Sequence, residues 1–211
     1  MIPEDYGGSG LGLTEASIVM EEINRGGGNA GHCHGQMYNM GTVLRHGSDA
    51  QKRKYLPKIA AGELRLQSMA VTEPTTGTDT TKLKTMAVKK GDRYLVNGQK
   101  VFISNGQMCD VLVLATKTDS EAGAKGVTLF IVEGTRDGFK RGKNLEKLGM
   151  HAQDTSELFF DNMRLPPENM LGPEGEGFGL MMTKLSQERL AQAVRSTTVA
   201  ETVIDYTVDY T

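Results

Sequence analysis

Ala70–Asp79 reads AVTEPTTGTD and Lys100–Gly106 reads KVFISNG. Each is a strand end running into a turn, where hydroxyls and backbone N–H groups are left facing outward. Thr72, Thr78 and Ser104 supply small donors, and Gly77 lets the backbone come close to a ligand. The pair suits gripping a flat ring with a polar edge.

Around these segments the texture is β-rich. RYLV (93–96), Asn97-Gly98 and QKVFIS (99–104) read as a hairpin, because Asn-Gly is the strongest short turn signal. VLVLATKT (111–118), GVTLFIVE (126–133) and SELFFDNMRLP (156–166) continue as strands. The middle of the chain is therefore expected to be a small antiparallel β-domain, a sandwich or barrel. Before it, Ala16, Val19, Met20 and Ile23 fall at helical spacing, with Thr14 as N-cap and Gly26 just past the end. Met37, Met40, Val43 and Leu44 mark a second helix ending at His46-Gly47, and Ser48 with Gln51 forms a capping box that opens a third, to about Gly62. After a Gly/Pro loop (172–177), Phe178, Met181, Met182 and Leu185 predict one long helix from Phe178. The expected class is α+β multidomain: an N-terminal helical part (1–66), a middle β-domain (67–173), and the start of a C-terminal helical bundle (174–211).

With 211 residues, 38% of them apolar, and a formal charge of −2, one or two modest domains with real cores are expected and nothing invites nucleic acid. Cys33 and Cys109 are too few for a disulfide framework, which points to a reducing compartment. No apolar run reaches the ~18 residues of a membrane span, and no signal-peptide pattern opens the chain. Met1 leads directly into a turn-rich loop, IPEDYGGSGLG, and the last helix has no evident partner. Both features suggest a piece of a longer protein.

An isoalloxazine ring presents N1, O2, N3, O4 and N5 along one edge, which matches the hydroxyls of Thr72, Thr78 and Ser104. Phe102, two residues from Ser104 in one strand, shares its face and is placed to stack on such a ring. The spacing alone equally allows an ordinary Pro/Gly turn with Phe102 in the core. Glu188 lies three positions from Leu185 and seven from Met181, at the edge of the apolar stripe, with Arg189 inside it. A carboxylate against apolar walls is raised toward a general base's range, although the same position permits a surface pair with Lys184. Gly26–Gly31 matches G-x-G-x-x-G, yet a helix precedes it where a dinucleotide fold requires a strand, so it is rejected. His32-Cys33-His34 has no second ligand cluster and reads as a surface loop, with no metal site expected.

In these segments the chain resembles the acyl-CoA dehydrogenase family. VTEPTTGTD is similar to the family's signature, in which a Thr-Glu-Pro turn runs to Gly-Ser-Asp, here with Thr78 in place of Ser. KVFISNG resembles its second flavin segment, and PEDYGGSGLG, HGSDAQKRKYLPKIAAGE and GFGLMMTKLSQERLAQA match in the family's order across nearly the whole chain. The resemblance implies FAD held by Met69, Val71, Thr72, Gly77 and Thr78 on one side and Phe102, Ile103 and Ser104 on the other, with Ser104 near flavin N5. Met69 stands where an aromatic is frequent. Thr78, Gln187 and Arg189 would face an acyl-CoA substrate. Family members place the catalytic glutamate either far downstream or in the helix after the β-domain, as in the isovaleryl and long-chain branches; Glu188 in QERL is similar to the second position, and AQDTSELFF resembles the long-chain branch. The reaction implied by the resemblance is α,β-dehydrogenation of acyl-CoA to trans-2-enoyl-CoA, with electron-transferring flavoprotein as acceptor and a homotetramer as assembly. An acyl-CoA oxidase and a non-catalytic fragment lacking both ends of the family's chain are the alternatives. A bacterial cytoplasm and a mitochondrial matrix both fit.

Overall fold

A computed structural model describes residues 1–211. Three helices come first: α1 (Leu13–Arg25), α2 (Gly31–His46) and α3 (Asp49–Ala60). The capping box at Ser48 is present, with Gln51 N–H donating to Ser48 Oγ and Ser48 N–H to Gln51 Oε1. At α1 the cap is Gly12 and not Thr14, because Glu15 reaches back to accept from Gly12 N–H at 2.8 Å. A second correction concerns His32-Cys33-His34, which forms the first turn of α2 instead of a loop. Asn29 Oδ1 accepts from Gly31 N–H there, which starts the helix ahead of its apolar series.

Eight strands come next, β1 (Leu66–Ala70), β2 (Met86–Lys90), β3 (Arg93–Ser104), β4 (Val111–Lys117), β5 (Val127–Glu133), β6 (Phe139–Asn144), β7 (Thr155–Leu165) and β8 (Met170–Leu171). They form one sheet in the order β6-β7-β3-β2-β4-β5-β8, with β1 beside β4. Most pairs are antiparallel, while β4 pairs in parallel with β1 and β2. The Asn97-Gly98 hairpin is not formed. The turn falls earlier, at Gly91-Asp92, and β3 runs straight through Asn97-Gly98 because β7 pairs with it on both sides of the dipeptide. Gly98 is a point of close approach instead: a Cβ there would lie 2.7 Å from Thr85 Cα. Asn162 N–H donates to Asn97 Oδ1 at 2.8 Å across the resulting register shift, the mark of a bulge.

The run VLVLATK is buried on both faces, which accounts for its lack of alternation. Leu112 and Leu114, with Phe130 and Val132 of β5, turn to an inner core shared with Tyr94, Val96, Leu158 and Met163. Val111 and Val113, with Leu129 and Ile131, turn outward against Met40, Val43, Leu56 and Ile59 of the helices. The curled sheet thus fills its own interior and seats the helical layer on its back.

The C-terminal region is two helices, α4 (Gly177–Met182) and α5 (Leu185–Tyr210), rather than one. The ladder breaks at Thr183-Lys184, where Thr183 Oγ1 donates back to Leu180 C=O and Lys184 turns inward, buried against Gly41 of α2. Ala191 of α5 joins Met20, Ala30 and Met37 in a third small core. Beyond it Val199, Val203, Ile204 and Val208 stand exposed.

Glu133 ties α3 to β5. Its carboxylate accepts from Lys54 Nζ and Tyr55 Oη, both at 2.8 Å, and from Arg136 Nη2 at 2.6 Å. Burial pushes its pKa up, and the hydrogen bonds from Lys54, Arg136 and Tyr55 overcome this and bring it down to about 2. A folded-state pKa below the ordinary 4.5 adds stability that is complete above that value and lost as pH falls toward 2. The unfolding free energy from urea titrations should therefore drop between pH 5 and pH 2 by on the order of 2 kcal/mol through this residue, after solvent screening of its exposed edge. In Glu133→Gln that portion of the acid slope should vanish; an unchanged slope would place the acid sensitivity elsewhere.

Candidate active site

Where the helical layer meets the open end of β3, a cleft of about 280 Å³ is lined from both sides. The β side supplies Met69, Thr72, Phe102, Ile103, Ser104, Asn105 and Gln153; the helical side supplies His34, Tyr38 and Asn39 of α2 and Glu188 and Arg195 of α5. Gly35 explains how α2 comes so near, since a Cβ there would lie 2.8 Å from Gln67 C=O of β1.

The two motif segments are locked before any ligand binds. Glu73 folds under its turn and accepts from Lys84 N–H at 2.6 Å, Thr85 N–H at 2.9 Å and Lys100 Nζ at 2.8 Å. Lys100 also donates to Val71 C=O at 2.9 Å, so the TEP turn is pinned to the strand that carries Phe102 and Ser104. Burial pushes the Lys100 ammonium down to about 8. Burial also pushes the Glu73 carboxyl up, but Lys100 and the two amide donors more than offset this, leaving it below the usual value. Ser68 Oγ donates to Ser104 C=O at 2.8 Å, and Asn105 Nδ2 to Gln67 C=O at 3.1 Å, joining the KVFISNG end to β1. Phe102 sits at φ +56 in a second bulge of β3 and is 66% exposed, its ring bared beside Thr72 and Ser104.

Glu188 projects from the first turn of α5 with a side chain 17% exposed, and its carboxylate meets His34 Nε2, not Lys184. Tyr38 lies one turn on from His34; burial, then the Glu188 carboxylate, push its phenol up to about 12. Arg195 brings Nη1 to 3.4 Å from His34 Nδ1 and Nη2 to 3.4 Å from Asn29 Oδ1. Its pKa is lowered by burial. Asn39 Oδ1 and Arg195 Nε are buried at the cleft without a hydrogen-bond partner. A bare aromatic face, neighbouring hydroxyls and orphaned polar atoms fit a flat ring with a polar edge, and the carboxylate opposite can accept a proton from something held between.

Of the sequence candidates, Met69, Thr72, Phe102, Ile103, Ser104 and Glu188 converge on this cleft. Val71 packs instead toward the helix-side core, and Gly77 and Thr78 lie exposed on the following loop. Arg189 is exposed, which corrects its placement in the apolar stripe: the break at Lys184 re-phases α5 relative to α4. Gln187 is half-buried, its Nε2 without a partner. Sequence reasoning missed His34, Tyr38, Gln153 and Arg195. The i, i+4 spacing of His34 and Tyr38, on one helical face, was the available signal.

A helical layer and a curled sheet that close a polar cleft between a bared aromatic ring and a carboxylate define an enzyme scaffold for a planar cofactor. The chain belongs to the acyl-CoA dehydrogenase family, a family of FAD-dependent oxidoreductases: residues 1–63 match its N-terminal domain and residues 68–163 its middle domain. It is 43% identical over 210 residues to a mitochondrial isovaleryl-CoA dehydrogenase of Oryza sativa subsp. japonica, covering 99% of this chain and 51% of that protein. Among solved structures, the acyl-CoA dehydrogenase of Geobacillus kaustophilus superposes with a TM-score of 0.93 at 41% identity, over 99% of this chain and 56% of that one. Butyryl-CoA dehydrogenase from Megasphaera elsdenii superposes at 0.94 with 34% identity, over the same shares. The chain spans about half the length of the relatives it matches. No helix is long and apolar enough to cross a membrane.

Proposed function

We propose that this chain is the N-terminal helical part (1–66), middle β-domain (67–173) and first C-terminal segment (174–211) of an enzyme that dehydrogenates an acyl-CoA to its trans-2-enoyl-CoA. The observation that carries this reading is the convergence of Glu188 with Met69, Thr72, Phe102 and Ser104 on one cleft, although they come from opposite ends of the chain. The chemistry that FAD would supply when bound is a hydride acceptor for the β-hydrogen. Phe102 would stack against its ring, while Thr72 and Ser104 would donate to its polar edge. Glu188 would remove the α-proton of the thioester, its carboxylate standing at the cleft opposite Phe102 and Ser104. Val71, Gly77 and Thr78 would complete the β-side wall, with Thr78, Gln187 and Arg189 toward the acyl-CoA. Electron-transferring flavoprotein would be the onward acceptor and a homotetramer the assembly. The mitochondrial and bacterial relatives support either a mitochondrial matrix or a bacterial cytoplasm as the compartment.

Anaerobic addition of isovaleryl-CoA or butyryl-CoA to the purified yellow protein should bleach its flavin absorbance and yield the enoyl-CoA. Protein that carries FAD yet is bleached by neither, nor by longer or more branched acyl-CoAs, would defeat the proposal. Admitting oxygen then separates dehydrogenase from oxidase, since rapid recovery of the colour marks the oxidase.

A further inference from the structure

His34 is a side chain in the cleft whose chemistry the reaction has not used. Its Nε2 meets Glu188 Oε2 across the boundary between α2 and α5, and both side chains are less than one-fifth exposed (18% and 17%). On the ring's other edge Arg195 Nη1 lies 3.4 Å from Nδ1. A guanidinium has donors and no acceptor, so its approach to Nδ1 favours a bare Nδ1, and a proton on Nε2 is then aimed at the carboxylate. Arg195 is itself held by Asn29 Oδ1, which also caps the start of α2 through Gly31 N–H. The chain of contacts therefore runs from the helix start, through the guanidinium and the imidazole, to Glu188.

We propose that His34 is a positioning residue for Glu188, its Nε2–H holding the carboxylate in one rotamer at the cleft and favouring its ionised, proton-accepting form. The proposal rests on Glu188 being the base of the dehydrogenation. A donor to a carboxylate stabilises the charged form, and a hydrogen bond to a charged group is worth enough to move a titration by about one pH unit. Other charged or titratable groups around Glu188 are Tyr38 on α2, Lys184 at the α4–α5 break and Arg195 on α5; the β-side residues at the cleft, Met69, Thr72, Ser104 and Gln153, are neutral. None of these is itself altered when His34 is changed, and both variants lose the Nδ1 contact with Arg195, so the difference between His34→Leu and His34→Gln reports on the Nε2 donor.

The test compares the unmodified protein with His34→Gln, whose amide keeps a donor near the Nε2 position, and His34→Leu, which removes it. Nitrogen-15 spectra of the histidines in the unmodified protein should show Nε2 protonated and Nδ1 bare for His34. Carbon-13 titration of the Glu188 carboxyl should move up by about one pH unit in His34→Leu and return in His34→Gln. The acid limb of kcat for acyl-CoA oxidation should move with it, while KM stays where it was. An unmoved Glu188 titration in His34→Leu, or a His34 ring protonated on Nδ1 and bare on Nε2, would overturn the proposal. Should His34→Leu fail to fold, the nitrogen-15 assignment and the Glu188 titration in His34→Gln decide it. If Glu188→Gln keeps full flavin reduction while His34→Leu still shifts the carboxyl, the base assignment fails and the hydrogen-bonded pair stands, so the two failures are told apart.

Discussion

Lys100→Met is expected to lower the unfolding free energy by about 3–5 kcal/mol, the cost of leaving one member of a buried ion pair without its partner. Lys100 is fully buried and the Glu73 side chain is 3% exposed, so no water can replace the lost ammonium. Glu73 would retain only the amide donors of Lys84 and Thr85, and Val71 C=O would lose its donor. Replacing both partners, as Lys100→Met with Glu73→Gln, should recover part of the loss, because the unpaired charge is removed although the Gln amide keeps an acceptor for only one of the Lys84 and Thr85 N–H groups. Urea unfolding of the single and double variants checks this. A single variant within about 1 kcal/mol of the unmodified protein would show that solvent reaches the pair after all. The same linkage has a sign in pH: with its folded-state pKa below the ordinary value, Glu73 contributes stability that is present above the ordinary carboxylate range and fades as acid protonates it. Because the pair fixes the turn carrying Thr72 to the strand carrying Phe102, flavin affinity should fall in the single variant alongside stability.

Glu188→Gln should leave the flavin bound and slow its reduction by acyl-CoA by roughly 10²–10⁴-fold, the range expected when a positioned general base is removed. The amide preserves the shape of the side chain and its seat between α2 and the β side of the cleft, but has no basic oxygen for the α-proton. A loss confined to the bleaching rate, with an unaltered flavin spectrum, separates removal of the base from collapse of the site. Reduction at the original rate would put the base in another residue. The cleft that holds Glu188 opposite Phe102 and Ser104 favours the loss.

Much of the architecture was legible in short-range pattern. The Ser48–Gln51 cap, the β4 and β5 runs and the order of helices, sheet and helices arise from residues within a turn or a strand of one another. The readings that failed include local ones, such as the cap of α1 at Gly12, and ones in which a distant segment intervened. Asn97-Gly98 carries a turn signal, yet β7 pairs along β3 on both sides of it, and the ladder outweighs a local preference. His32-Cys33-His34 carries no apolar series, and its helix starts on the cap that Asn29 gives Gly31 N–H, with Gly35 in the next turn admitting Gln67 of β1. Of the candidate site, the two segments proposed to hold the flavin and Glu188 were visible as motifs. His34 was not, since its significance depends on a residue 154 positions away.

The segments AVTEPTTGTD and KVFISNG show the division of labour between sequence and tertiary structure. Their residue types specify strand ends, exposed hydroxyls and a turn, because those properties reside in the backbone preferences and donors of consecutive residues. Their assembly into one wall was decided by the Glu73–Lys100 pair, and the facing of that wall by Glu188 and His34 was decided by the docking of α2 and α5. Long-range burial and pairing are sums over distant partners, and no window along the chain contains both terms.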